Sequence, residues 1–96
     1  MNWNEYKDHV KQTDPIGKEL IEEAEAEASI ISAIINQRTS LGLSQRELAA
    51  LCNIPQSSIA RIETNKITPR LDTLIHILNS LGLTLTVIPN LTVMDR

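Results

Sequence analysis

Leu43-Ser44-Gln45-Arg46-Glu47-Leu48-Ala49-Ala50-Leu51-Cys52-Asn53-Ile54-Pro55-Gln56-Ser57-Ser58-Ile59-Ala60-Arg61-Ile62-Glu63 is the stretch that decides the fold. Ser44 followed by Glu47 is a capping box, in which each side chain satisfies a backbone N–H that the start of a helix leaves open. A helix therefore begins at Gln45, with Leu48 and Leu51 expected to point inward. Asn53 falls where that helix must turn, and asparagine tolerates the left-handed backbone of a tight turn. Pro55 opens the next helix. Ile59 and Ile62 face its core side, and Gln56, Ser57, Ala60 and Arg61 lie on the other. Two short helices joined by a tight turn, the second showing polar and basic groups outward, is how a chain presents side chains to the major groove of DNA.

Working outward, Asp14-Pro15 is a helix-start signal, because Asp accepts backbone N–H groups and Pro suits the first helical position. Glu- and Ala-rich sequence follows, then Ile30, Ile31, Ile34 and Ile35 at helical spacing. This predicts a helix from about Ile16 to Leu41, with room for a break near Glu25, ended by Gly42. Residues 1–13 show no clear period and read as an arm. After the motif, Asn65 to Pro69 reads as a loop. Leu71, Leu74, Ile75, Leu78 and Leu81 then mark a further amphipathic helix, ended by Gly82. Residues 83–88, Leu-Thr-Leu-Thr-Val-Ile, alternate apolar and polar for most of their length and read as a strand. A lone strand in a helical domain has no partner in its own chain, so the same strand of a second copy is the expected one, through Leu83, Leu85 and Val87.

The chain has 96 residues, enough for one small domain that a dimer partner would help to stabilise. Trp3 and Tyr6 are its only aromatic residues, so the core is built from Ile, Leu and Ala, which favours packed helices. Cys52 is the single cysteine and fits a small buried position; neither an internal disulfide nor a metal-ligand cluster is expected. His9 and His76 have no spaced partners. No nucleotide loop or paired-carboxylate cleft is evident, no cofactor is implied, and an enzyme is not expected. No apolar run reaches the roughly 20 residues of a membrane span and no signal peptide is evident, so a cytoplasmic protein is the expectation.

The formal net charge of −3 is unevenly spread. Residues 1–35 carry three lysines against eight acids, a net of −5. Residues 36–70 carry Arg38, Arg46, Arg61, Lys66 and Arg70 against Glu47 and Glu63, a net of +3. The positive segment coincides with the two-helix motif, as contact with phosphates requires. The acidic segment must serve something else, either as a solvated helix face or as a surface for a partner.

Gly42-Leu43-Ser44-Gln45, Leu48-Ala49, Ile54-Pro55-Gln56-Ser57-Ser58-Ile59, Arg61-Ile62-Glu63 and Pro69 together resemble the lambda-repressor-like (XRE-type) helix-turn-helix family. The resemblance covers roughly residues 27–82. One departure is Asn53, where family members often carry Gly; Asn adopts the same backbone shape. The flanks are similar to those of HigA-type antitoxins of toxin–antitoxin systems, with an acidic helical lead-in near an Asp-Pro and a short terminal strand. The resemblance implies a mainly all-α bundle with an arm and acidic helix over 1–26, a DNA-binding domain over 27–82, and a dimerisation strand and tail over 83–96. It also implies a function: an antitoxin that neutralises a small, basic, RelE-like RNA-cleaving toxin and represses its own operon. The alternative is a stand-alone dimeric repressor of the same family.

The same resemblance implies residue roles. Gln45, at the first motif helix's start, is expected to grip a phosphate. Gln56 and Ser57 open the recognition helix close to base edges, where Gln can pair with adenine; both also suit a plain helix start. Arg61, one turn on, is placed for guanine or a phosphate. Ser58, Asn65, Lys66 and Thr68 are expected to hold the duplex backbone. Arg38 and Glu63 resemble a family ion pair tying the first helix to the recognition helix. Trp3, Tyr6, Glu19, Glu22 and Glu23 are the expected toxin-facing residues. The expected partners are double-stranded operator DNA, a second copy of the chain and that basic toxin.

Overall fold

The computed structural model describes residues 15–89, with side chains from Leu20 onward. Four helices form among them: α1 (Pro15–Ser40), α2 (Gln45–Cys52), α3 (Gln56–Glu63) and α4 (Leu71–Ser80). Helix α1 spans Pro15–Ser40 and runs unbroken past Glu25, through 26 residues. Asp14 itself lies outside the described residues.

All four helices end the same way. In each, a residue in the left-handed region follows the last turn: Gly42 (φ 74°), Asn53 (φ 57°), Asn65 (φ 59°) and Gly82 (φ 77°). That residue's N–H and the next one reach back to the last turn, as Gly82 does to Asn79 O (3.0 Å) and Leu83 to Leu78 O (2.8 Å). The paired bonds satisfy carbonyls that the helix leaves open. An apolar residue commonly follows the left-handed one and packs back onto the helix. Leu43, Ile54 and Leu83 do so here, half-buried against the core. After α3 the corresponding residue is Lys66, exposed.

Ile34 of α1, Leu48, Ala49 and Cys52 of α2, Ile59 and Ile62 of α3, and Ile77, Leu78 and Leu81 from α4 and its end form the core. Helix α2 packs on α3 and α4, and α1 packs on α3. Two side-chain bonds fasten the periphery. Gln37 Nε2 donates to Leu81 O (2.9 Å), joining the end of α1 to the end of α4. His76 Nε2 lies 2.8 Å from Cys52 O. A carbonyl only accepts, so the imidazole carries its proton on Nε2.

Several inward assignments need correction. Leu51 is 56 % exposed; the inward face of α2 is Leu48, Ala49 and Cys52. In α4, Leu71 (64 % exposed) and Ile75 (38 % exposed) lie outside the core, and Ile77 lies at its centre. The core-facing side of α4 is Ile77 and Leu78, continued by Leu81 and flanked by half-buried Leu74, and so is rotated from the simple 71-74-75-78 stripe. The strand expected over 83–88 does not form among the described residues, which carry no regular element after α4. A strand exists through its pairing, and residues 83–88 find no partner strand among the described residues. Leu83 is held to the core, whereas Leu85, Val87 and Ile88 are exposed.

Candidate nucleic-acid interface

The site is built on α2, its tight turn and α3. The capping box of α2 is complete: Ser44 N donates to Glu47 Oε1 and Glu47 N donates to Ser44 Oγ, both at 3.0 Å. Ser44 holds the Glu47 carboxyl below its ordinary pKa, its backbone N–H contributing most and its hydroxyl next. The first-turn N–H groups of Gln45 and Arg46 still lack carbonyl partners within the helix, which leaves positive potential at that end.

Asn53, with φ 57° and ψ 45°, turns the chain into α3. Pro55 caps α3 from extended backbone. Burying Ile59 and Ile62 forces the opposite face of α3 outward. Gln56, Ser57 and Arg61 are exposed there, and Ser58 and Ala60 are half-buried at its flanks. Asn65, Lys66 and Thr68 continue from the end of α3 and are exposed. The residues expected to meet DNA thus lie on α3, the loop that follows it, and the start of α2.

Beneath this surface Arg38 and Glu63 form a two-pronged ion pair. Arg38 Nε donates to Glu63 Oε2 at 2.7 Å and Nη2 to Oε1 at 2.9 Å, while Nη1 donates to Leu43 O at 2.8 Å. Their side chains are 13 % and 5 % exposed. Gln45 Nε2 adds a further bond to Glu63 Oε1 at 3.0 Å. One carboxylate therefore ties the ends of α1 and α3 to the start of α2 and fixes their relative orientation.

Sequence reasoning paired Arg38 with Glu63 and missed the part of Gln45. That carboxamide is half-buried with one N–H committed to Glu63, so its remaining N–H and its oxygen are what it can offer outward. The left-handed Asn65 was also missed, although an Asn two residues past the end of a helix was the available signal. The candidate interface carries little uncompensated negative charge. Glu63 is neutralised within the network, Glu47 is held in its cap, and Arg61, Lys66 and Arg46 stay exposed.

Of the expected toxin-facing residues, Glu22 and Glu23 are exposed on α1. Trp3, Tyr6 and the side chain of Glu19 lie outside the described residues. Among the described residues no group of His, Cys, Asp and Glu is placed to hold a metal ion, and no helix is long and apolar enough to cross a membrane.

Comparison with known proteins agrees with this geometry. The helix-turn-helix family profile matches residues 34–88. An uncharacterized HTH-type transcriptional regulator of Haemophilus influenzae is 36 % identical over 88 residues, covering 92 % of this chain and 85 % of that protein. Among solved structures, a chain of a toxin–antitoxin module from Streptococcus pneumoniae superposes with a TM-score of 0.70 at 39 % identity, covering 94 % of both chains. With α2, its turn and α3 in the arrangement that places a helix in a DNA groove, the chain belongs to the XRE-type helix-turn-helix family of DNA-binding regulators.

Proposed function

We propose that the chain is the antitoxin of a type II toxin–antitoxin pair, a dimer that binds its own operon and neutralises a small basic RNA-cleaving toxin of the RelE-like class. One observation carries the reading. A helix-turn-helix with an exposed polar and basic α3 is joined, through a single α1, to an acidic half-helix that the DNA face does not use. The likeness to a toxin–antitoxin module chain over nearly the whole length supports it. A toxin that cleaves RNA must attract phosphates and is therefore basic, and an acidic helix is a physically suited partner.

On this reading Gln56, Ser57 and Arg61 meet base edges, while Gln45, Ser58, Asn65, Lys66 and Thr68 meet the duplex backbone. Leu83, Leu85 and Val87 pair with the same segment of a second copy, Leu83 also anchoring the segment to its own core. Two copies then present two α3 helices to successive half-sites.

The test is an affinity pull-down of the tagged full-length protein from its native cells, with mass spectrometry of what elutes. The expected result is a stoichiometric small basic protein that is lost when Glu22 and Glu23 are both changed to Lys. Recovery of only the protein itself and DNA would contradict the antitoxin reading and leave a stand-alone dimeric repressor.

A further inference from the structure

An open apolar groove runs between α1 and the segment that follows α3. Ile30 and Ile31 of α1, Ile67 and Pro69 of the loop, and Leu74 of α4 line it, and Glu27 stands at its α1 end. Ile67 is 40 % exposed, a large apolar side chain on a loop that would not otherwise need one. Beyond the groove, one face of α1 leads on toward the helix start. Leu20, Glu23, Glu27 and Ile31 are spaced at three and four residues and so share one helix face, about 16 Å long at 1.5 Å per residue. Leu20, Glu23 and Glu27 are exposed. An acidic, partly apolar stripe thus leads into an apolar slot.

We propose that this groove and stripe dock a cationic amphipathic segment of the toxin, with an apolar side chain seated between Ile31 and Ile67 and Lys or Arg side chains over Glu23 and Glu27. The proposal rests on the antitoxin reading above and adds the place of contact, which that reading put only on the N-terminal arm and the acidic turns of α1. Charge selects the occupant. Residues 1–13 carry Lys7 and Lys11 against Glu5 and Asp8, so the chain's own arm brings no net positive charge to the glutamates, and a cationic partner complements them better. A second copy docked here symmetrically would set like charges against each other, which is unfavourable.

The groove also reaches the DNA side, because Asn65 and Thr68 line it as well. Both sit in the loop assigned to the duplex backbone. A toxin seated in the groove therefore alters the presentation of that loop, and by linkage DNA alters toxin affinity by the same factor.

The test uses the full-length protein and the toxin recovered and sequenced from the pull-down. A photo-crosslinking residue is placed at position 67 and, as a control remote from the groove, at position 51. In parallel, toxin affinity is measured for Ile67→Asp and for the double variant Glu23→Lys/Glu27→Lys, whose changes lie at exposed helix positions that a fold tolerates. Crosslinks to the toxin from position 67 and not 51, with affinity reduced about tenfold or more in both variants, are expected. Toxin crosslinks from neither position, with both affinities unchanged, would overturn the groove while leaving the antitoxin reading intact. Crosslinks from position 67 only within the chain or to a second copy would also overturn it. Recovery of no toxin at all would remove the antitoxin reading and the groove together.

Discussion

Asn53 holds φ 57° and ψ 45° at the turn between α2 and α3, a conformation in which a Cβ crowds the following carbonyl. Asparagine offsets part of that strain with its short polar side chain; alanine cannot. Asn53→Ala is expected to lower unfolding free energy by about 1–2 kcal/mol, with Asn53→Gly holding the wild-type value, both read by denaturant unfolding. Glu63 carries more. Its carboxylate accepts from Arg38 and Gln45 while almost wholly buried, so Glu63→Ala strands the Arg38 guanidinium. The same unfolding measurement should show a loss of about 3–5 kcal/mol. A loss under 1 kcal/mol would mean that the network does not hold the helices together. Both residues were legible in sequence for different reasons, Asn53 by its place after a helical period and Glu63 by resemblance alone. The Gln45 bond was not legible, because it depends on the angle at which α2 meets α3.

The elements differ in how locally they are determined. Helix α2 was legible because its capping box and its end lie within a few residues of each other, and α1 because a Glu- and Ala-rich run leads into isoleucines at helical spacing and Gly42 ends it. The inward faces of α2 and α4 were harder. Eight or ten residues make barely two or three turns, so a stripe such as Leu71-Leu74-Ile75-Leu78 fits more than one rotation. Only the neighbours decide that Ile77 is buried and that Leu51, Leu71 and Ile75 are not. The alternation after α4 reads as a strand, but no strand forms there among the described residues, because alternation alone supplies no pairing partner. A pH effect belongs to α2. The folded state lowers the pKa of Glu47, so the capping box contributes fully above the ordinary carboxylate value of 4.5 and its contribution is lost as pH falls through the lowered one. Thermal melts across that range should show a small acid-side decline that Glu47→Gln removes; an identical pH profile in the variant would contradict it.

At the scale of the molecule, charge divides the work. The acidic half of α1 and the basic motif are separate along the chain and meet at the groove lined by Asn65 and Thr68, where a partner drawn to the first is coupled to DNA on the second. Leu83, Leu85 and Val87 carry the dimer expectation, and of these Leu85 and Val87 are exposed. Leu85→Pro removes a ladder donor and should raise the dimer dissociation constant in analytical ultracentrifugation, with operator affinity falling alongside. A native protein that sediments as a monomer at micromolar concentration would contradict the ribbon.

The central claim is that the outward face of α3 reads DNA. Its most direct test is binding of the full-length protein to the DNA upstream of its own gene across a range of salt, beside Arg61→Ala. Specific binding whose affinity falls steeply with salt is expected, with a loss of about 1–3 kcal/mol in the variant. Binding no tighter than to unrelated DNA, or an Arg61→Ala variant indistinguishable from wild type, would contradict it.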